Sequence, residues 1–427
     1  MRGTATALYA RAARSWGRAP GEIARGLREA RALHSRERRF VGDALHGMVR
    51  MRRRLAWLAG LDAGELASPP PDALYLMWCA GGGEPDAPLA LDPPILEQLA
   101  ALGVHEDTVR AGAARLAEVA DPLRRLAIGA SYPDWLVARV AGDLGAARAE
   151  AFLRASNRRA PLLARANRLC NDRDALAARL RDEGVESAPV PLAPDALELR
   201  GQQNAYGLAA FAEGRFELQD VASQLVAEVV APPPHGRVLD LCAGAGGKTL
   251  HLGALLGGAG RVTACDVADH KLEELRRRAR RAGLSNVEAR RIREAGPLEL
   301  GAFDRVLVDA PCTGSGVLRR NPEARWRLGP RDLVELPKRQ LAILERAAAC
   351  VAPGGRLVYA TCSVIRAEND DVVDGFLAAN DAFAPMRLAE ILGPERAAQI
   401  GDGARLRTAP DTHAADGFFA AVMRRRS

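Results

Sequence analysis

The spacing of apolar residues changes twice along this chain of 427 residues. In the first part they recur every three to four positions, as at Phe40, Ala44, Leu45, Met48 and Met51, the period of a buried helix face. Ala80 to Pro94 (AGGGEPDAPLALDPP) breaks that period with Gly and Pro and predicts a surface loop. Helical spacing resumes from Ile95 to Val119, and the helical domain is assigned to 1–130. From Tyr132 the periods mix. Asp134 to Val140 and Arg148 to Ala155 predict short helices, 161–170 (PLLARANRLC) a strand, Asp172 to Glu183 a helix, and Glu198 to Arg200 part of another strand. This is a small α/β module over 131–215. Phe216 to Asp220 leads into a helix at Ala222 to Val230, which Pro232 to Pro234 stops.

The remainder, 216–427, alternates strand and helix. Val238 to Leu241, Arg261 to Asp266, Val287 to Ile292, Asp304 to Asp309 and Arg356 to Ala360 are short runs of β-formers. Between them come helical stretches from Leu250, over Lys271 to Ala282, and over Leu333 to Val351, the last closed by Pro353 and Gly354. Glu368 to Ala379 follows as a helix, and Gly417 to Met423 as a final edge strand. Regular alternation predicts an α/β fold with a doubly wound, mainly parallel sheet. Ligands of such sheets sit at the carboxyl ends of the strands.

The first of those ends is VLDLCAGAGGKT (238–249), a strand, a glycine turn and the start of a helix, which is the form of a nucleotide or nucleoside pocket. Three ligands compete for it. A phosphate loop requires Gly where Cys242 stands, and a dinucleotide fingerprint requires Gly where Thr249 stands. S-adenosylmethionine (SAM) requires a looser glycine loop, here Cys242, Ala243, Gly244, Ala245, Gly246, Gly247 and Lys248, and an acid at the next strand's tip for the ribose. Asp266 is that acid. SAM is the favoured reading, with the nucleotide readings, a phosphate-loop ATPase among them, kept as alternatives.

Composition narrows the class. No apolar run is long enough for a membrane span, and the arginine-bearing N-terminus lacks an apolar block with a cleavage site, so a cytoplasmic protein is expected. Seven scattered cysteines, none paired at C-x-x-C spacing, predict free thiols and no metal site. Residues 1–60 carry 14 arginines against four acids, a local +10 where the whole chain is +7. Two arginine clusters, Arg36 to Arg39 and Arg50 to Arg54, on one helical module predict a polyanion partner, RNA, over a merely solvated helix face. Only Lys248, Lys271 and Lys338 are lysines, so a lysine at the end of the glycine loop is notable.

Strand four ends in DAPC and strand five in ATCS, which puts Cys312 and Cys362 on the rim that carries the glycine loop. A methyl acceptor that is already nucleophilic needs no thiol. Carbon 5 of a pyrimidine does: a thiolate adding to carbon 6 makes carbon 5 an enamine carbon able to attack a methyl group. Asp309, three residues before Cys312, is placed to hold the base, and Lys248 to lower a thiol pKa or meet the SAM carboxylate. Residue chemistry leaves open which cysteine attacks.

These motifs resemble the Sun-type RNA cytosine-5 methyltransferases. The resemblance rests on LDLCAGAGGKT (239–249), Asp266, DAPCTGSG (309–316), RRNPEARW (319–326), PGGRLVYATCSV (353–364) and Glu368–Asn369, in order. It implies a Rossmann-like SAM methyltransferase domain in which Cys362 is the nucleophile and Cys312 assists product release. The implied SAM contacts are the 242–248 loop, Asp266 and Asp309, with Glu294 in RRIREAG (290–296) as the equivalent of a further acid. The segment 35–57 (SRERRFVGDALHGMVRMRRRLAW) resembles the NusB-like RNA-binding domain of the bacterial 16S ribosomal RNA subgroup, RsmB-type, and Asp416–Gly417–Phe418 fits a C-terminal family element. The expected protein is a 16S ribosomal RNA methyltransferase acting as a monomer, with Trp326, Arg319 and Arg320 available to stack on or clamp unpaired RNA, and ordinary loop packing the alternative for Trp326. The rivals are a transfer RNA methyltransferase and a non-catalytic RNA-binding assembly factor.

Overall fold

The computed structural model describes residues 1–62, 69–84, 87–201 and 204–427, so Pro85 and Asp86 of the predicted 80–94 loop lie outside the described residues. The chain forms two compact units, 1–159 with 318–332, and 160–317 with 333–427.

The first unit is helical. Its longest element is the helix Ser35–Leu58, opened by a capping box in which Glu37 accepts from the His34 amide (2.8 Å). Val41, Ala44, Leu45, Met48 and Leu55 line its buried face, packed with residues of the helices Arg2–Ala13 and Pro71–Cys79. Phe40, expected on that face, is exposed and meets Trp78 edge-on. The helical stretch from Ile95 resolves into three short helices, Pro93–Ala100, Glu106–Arg110 and Gly112–Ala117. The helices Asp134–Leu144 and Ala146–Ala155 pack within this unit.

The two arginine clusters differ in what they do. Arg36 and Arg39 are exposed. Arg52, Arg53 and Arg54 are buried: Arg53 donates to the Tyr132 carbonyl (2.8 Å) and pairs with Asp134 (2.7 Å), Arg54 donates to the Gly82 carbonyl (3.0 Å), and Arg52 lies over the rings of Trp16 and Trp326. Arg50 donates to the carbonyls of Asn157 and Arg319. The 50–54 cluster therefore holds the unit together and is not an RNA-facing surface. Periodicity alone misses this, because a long arginine can bury its stem and satisfy its fork on carbonyls.

Residues 318–332 join the same core. Trp326 packs on the apolar cluster and donates to the Val49 carbonyl (2.7 Å). Arg325 is fully buried, donating to the Ser131 carbonyl (3.1 Å) and Asn157 Oδ1 (2.8 Å) over the Tyr132 ring. Arg319 is buried too, while Arg320 is exposed. Trp326 and Arg319 thus have packing roles, for Trp326 one of the two its sequence context offered.

The second unit carries two sheets. A small antiparallel sheet has the order β2-β3-β1-β4, from β1 (Leu162–Ala166), β2 (Ser187–Pro189), β3 (Ala196–Leu199) and β4 (Phe216–Leu218). The large sheet contains β5 (Arg237–Asp240), β6 (Arg261–Asp266), β7 (Val287–Arg291), β8 (Phe303–Asp309), β9 (Val351–Thr361), β10 (Phe383–Pro385), β11 (Arg405–Thr408) and β12 (Phe418–Arg425). Its order is β10-β12-β9-β8-β5-β6-β7, with β11 also on β12. Strands β5 to β9 are parallel and β12 is antiparallel to β9. From β5 the chain winds outward through β6 and β7, then returns to the other side through β8 and β9. The crevice at a parallel sheet's carboxyl edge opens at that reversal, between β5 and β8.

Two expectations are corrected. The last strand, β12, is not an edge strand: it pairs with β9, β10 and β11, and its apolar run is buried on both faces. The long helix ends at Ala348, short of Val351, and Pro353 and Gly354 lie within β9, where the ladder with β8 shifts register.

Candidate active site

The glycine loop follows β5. Gly244 and Gly246 take positive φ (54° and 90°), and the helix Gly247–Leu255 begins directly after. A Cβ on Gly246 would lie 2.7 Å from Leu275 Cγ, so the turn packs inward there. A Cβ on Gly244 or Gly247 would meet nothing within 4 Å, so the loop is open on its other side. Asp266, at the end of β6, accepts from the Gly244 amide (2.9 Å) and the Ala268 amide (2.8 Å), which fixes the strand-tip acid against the loop. Beneath the turn Asp240 accepts from Thr249 Oγ1 (2.7 Å), and burial pushes its carboxyl up to about 7. Burial pushes the Cys242 thiol up as well. The Ala245 carbonyl takes Arg278 Nη1 (2.7 Å), and the Gly247 carbonyl takes the buried Arg165 (3.2 Å). A cradle with open glycine positions and an acid at the neighbouring strand tip fits a nucleoside bearing an amino-acid tail.

Lys248, buried at the start of the helix, reaches across to β8 and pairs with Asp309 (2.7 Å). Burial opposes its charge, yet the Asp309 carboxylate holds its pKa above the usual value. The ammonium also lies 4.9 Å from the Phe418 ring centroid. Cys362 is within its electrostatic reach.

Sheet register brings the two thiols together. Asp309 of β8 faces Ala360 of β9, so the third residue beyond one and the second beyond the other arrive side by side. Cys312 Sγ and Cys362 Sγ are 3.3 Å apart, and both residues are partly exposed. The hydrogen bond to Cys362 and burial together push the Cys312 thiol well above its usual value.

Behind the sulfurs lies a buried polar network that sequence reasoning did not resolve into roles. Glu368 and Asn369 figured there only as part of a motif; the signal was an acid followed by an amide shortly after a strand-end cysteine. Gly316 and Gly417 are also required. The Gly417 amide donates to the Gly316 carbonyl (2.8 Å), and a Cβ on Gly316 would fall 1.9 Å from the Gly417 carbonyl oxygen. The Glu294 side chain is 69% exposed and paired with Arg339 (2.8 Å). Among the described residues no cluster of His, Cys, Asp and Glu could hold a metal, and no helix is long and apolar enough to cross a membrane.

A mainly parallel sheet with a glycine loop and a strand-tip acid beside its switch point, and two adjacent thiols past β8 and β9, defines a methyltransferase-type α/β fold. Residues 227–424 match the family model described as 16S rRNA methyltransferase RsmB/F, and residues 132–205 match the ferredoxin-like domain model of RsmF/B-like methyltransferases. The chain is 37% identical over 327 residues to the probable ribosomal RNA small subunit methyltransferase B of Bacillus subtilis, covering 76% of this chain and 73% of that one. It is 37% identical over 303 residues to the ribosomal RNA small subunit methyltransferase B of Xylella fastidiosa (69% and 67% covered). The crystal structure of PH0851 superposes with a TM-score of 0.75 at 26% identity, covering 95% of this chain and 94% of that one. The chain belongs to the 16S rRNA methyltransferase RsmB/F family.

Proposed function

We infer that this chain transfers a methyl group from SAM to carbon 5 of a cytosine in 16S ribosomal RNA, through a covalent bond between RNA and Cys362. The observation that carries the reading is the pair of sulfurs 3.3 Å apart at adjacent strand ends, beside the Lys248–Asp309 ion pair. The open glycine positions and Asp266 suit the methyl donor, which supplies an electrophilic methyl group when bound.

The residues then divide the work. Asp309 orients the base and offsets charge that develops on it. Cys362 adds to carbon 6, which makes carbon 5 nucleophilic. Once carbon 5 carries the methyl group, a base takes its proton, the freed electron pair restores the 5,6 double bond, the carbon 6–sulfur bond breaks with Cys362 leaving as thiolate, and Cys312 promotes that step. Lys248 holds Asp309 in place and brings a positive charge within reach of Cys362. The ribosomal substrate is favoured over transfer RNA by the family description and by the names of both bacterial relatives.

The test is transfer of labelled methyl from SAM to protein-free 16S RNA, followed by nucleoside analysis. 5-Methylcytidine in the RNA supports the reading; methylation of another atom, or of transfer RNA alone, overturns it.

A further inference from the structure

The two cysteine segments come from different strands, yet one carboxylate is bonded to both. Glu368 has no exposed surface. Its Oε1 accepts from the Thr313 amide (2.8 Å) and Gln340 Nε2 (3.0 Å), and its Oε2 from Thr313 Oγ1 (2.5 Å) and Ser363 Oγ (2.5 Å). None of these four donors is a cation. Thr313 directly follows Cys312, and Ser363 directly follows Cys362. The clamp is itself fixed: Tyr359 donates its hydroxyl to the Glu368 carbonyl (2.5 Å), and Asn369 accepts from Thr361 Oγ1 (2.5 Å) and donates to the Ser363 carbonyl (2.9 Å). Ser315 and Ser363 hydroxyls meet at 2.9 Å, and the Gly316 amide donates to the Cys362 carbonyl (3.0 Å).

A buried carboxylate is costly to place unless its lone pairs are filled, and filling them makes it a directional tie. Here every tie runs to a residue next to a reacting thiol or to the helix behind it. We propose that Glu368 is a positioning residue that clamps the residues after Cys312 and Cys362 and so keeps their sulfurs at hydrogen-bonding distance. The inference rests on the reading of those cysteines as the reacting pair. The Glu368 charge also reaches Cys312, adding to the Cys362 hydrogen bond and burial that push that thiol up.

Phenylarsine oxide tests the geometry without RNA or methyl donor. It bridges two neighbouring thiols: both S–H bonds break, two As–S bonds form, the oxygen leaves as water, and nothing is oxidised. The full-length protein is expected to be bridged at this pair, with Cys312→Ala and Cys362→Ala as blanks. Glu368→Ala should slow bridging by about tenfold or more. Glu368→Gln should stay within about threefold of the parent, because its amide can accept from the Thr313 amide and Gln340 and donate to the two hydroxyls. In a Cys312→Ala background, Glu368→Ala should slow covalent trapping of 16S RNA by about a hundredfold with SAM affinity unchanged, as expected for a misplaced nucleophile. Bridging at the parental rate in Glu368→Ala overturns the proposal, as does equal impairment of the alanine and glutamine variants. If the alanine variant does not fold, glutamine decides: preserved bridging supports the clamp and lost bridging overturns it. Failure of the RNA reading would leave the arsenical result intact, so the two can be told apart.

Discussion

At the scale of single residues the site depends on which group keeps a proton. The Cys362 hydrogen bond and burial push the Cys312 thiol well up, in keeping with the proposed role of Cys362 as the attacking sulfur. Cys362→Ala is expected to lower methyl transfer by at least about a thousandfold, since covalent activation of the ring is lost, while SAM binding measured by calorimetry stays within about threefold. Asp240 gives a separate prediction. Its folded pKa, about 7, is raised above the ordinary 3.8 by burial. The folded state therefore holds the proton more tightly than the unfolded chain. The stability it contributes is full below about pH 4 and is lost as pH rises through about 7. Asp240→Asn keeps the acceptor for Thr249 and has no such proton, so its melting temperature should vary less across that window than the parent's.

At the scale of elements, turns and register decide the chemistry. Gly246 is left-handed and packed against Leu275. Gly246→Ala should cost about 2–4 kcal/mol, combining the left-handed penalty with overpacking, and should weaken SAM binding, read by thermal melting and titration. Much of this scale was legible in the sequence. Short apolar runs ending at Leu241, Asp266, Asp309 and Ala360 marked the parallel strands, and the residues at or just past each tip supplied the loop, the acid and both thiols. What escaped were contacts set by partners distant in sequence. Strands β2, β10 and β11 are three or four residues long, too short for a period to show. An unbroken apolar run such as β12 fits an edge or an interior position equally, and only pairing on both sides decides. Glu368 looked like a helix-starting acid, because its four donors come from three other segments.

At the scale of the whole molecule, basic charge has two uses that composition cannot separate. Arg53 is an internal tie, while Arg36 and Arg39 face solvent. Arg53→Ala should cost about 2 kcal/mol of stability through lost charge-assisted hydrogen bonds, measured by denaturant unfolding. Joint replacement of Arg36 and Arg39 by Ala should leave stability within about 0.5 kcal/mol. It should weaken RNA binding and flatten its salt dependence by about two phosphate contacts, measured by titration across salt concentrations. The segment 318–332 follows the Cys312 loop in sequence but packs in the helical unit, so part of that unit's core is encoded among the catalytic motifs. A motif such as RRNPEARW can therefore carry a packing role as specific as any reactive one.

The most direct measurement is a denaturing gel of the Cys312→Ala protein incubated with SAM and 16S RNA, with the cross-linked peptide identified by mass spectrometry. The account predicts a stable protein–RNA adduct joined through Cys362 that disappears when Cys362 is also replaced. Normal turnover with no adduct, or an adduct on any other residue, would contradict it.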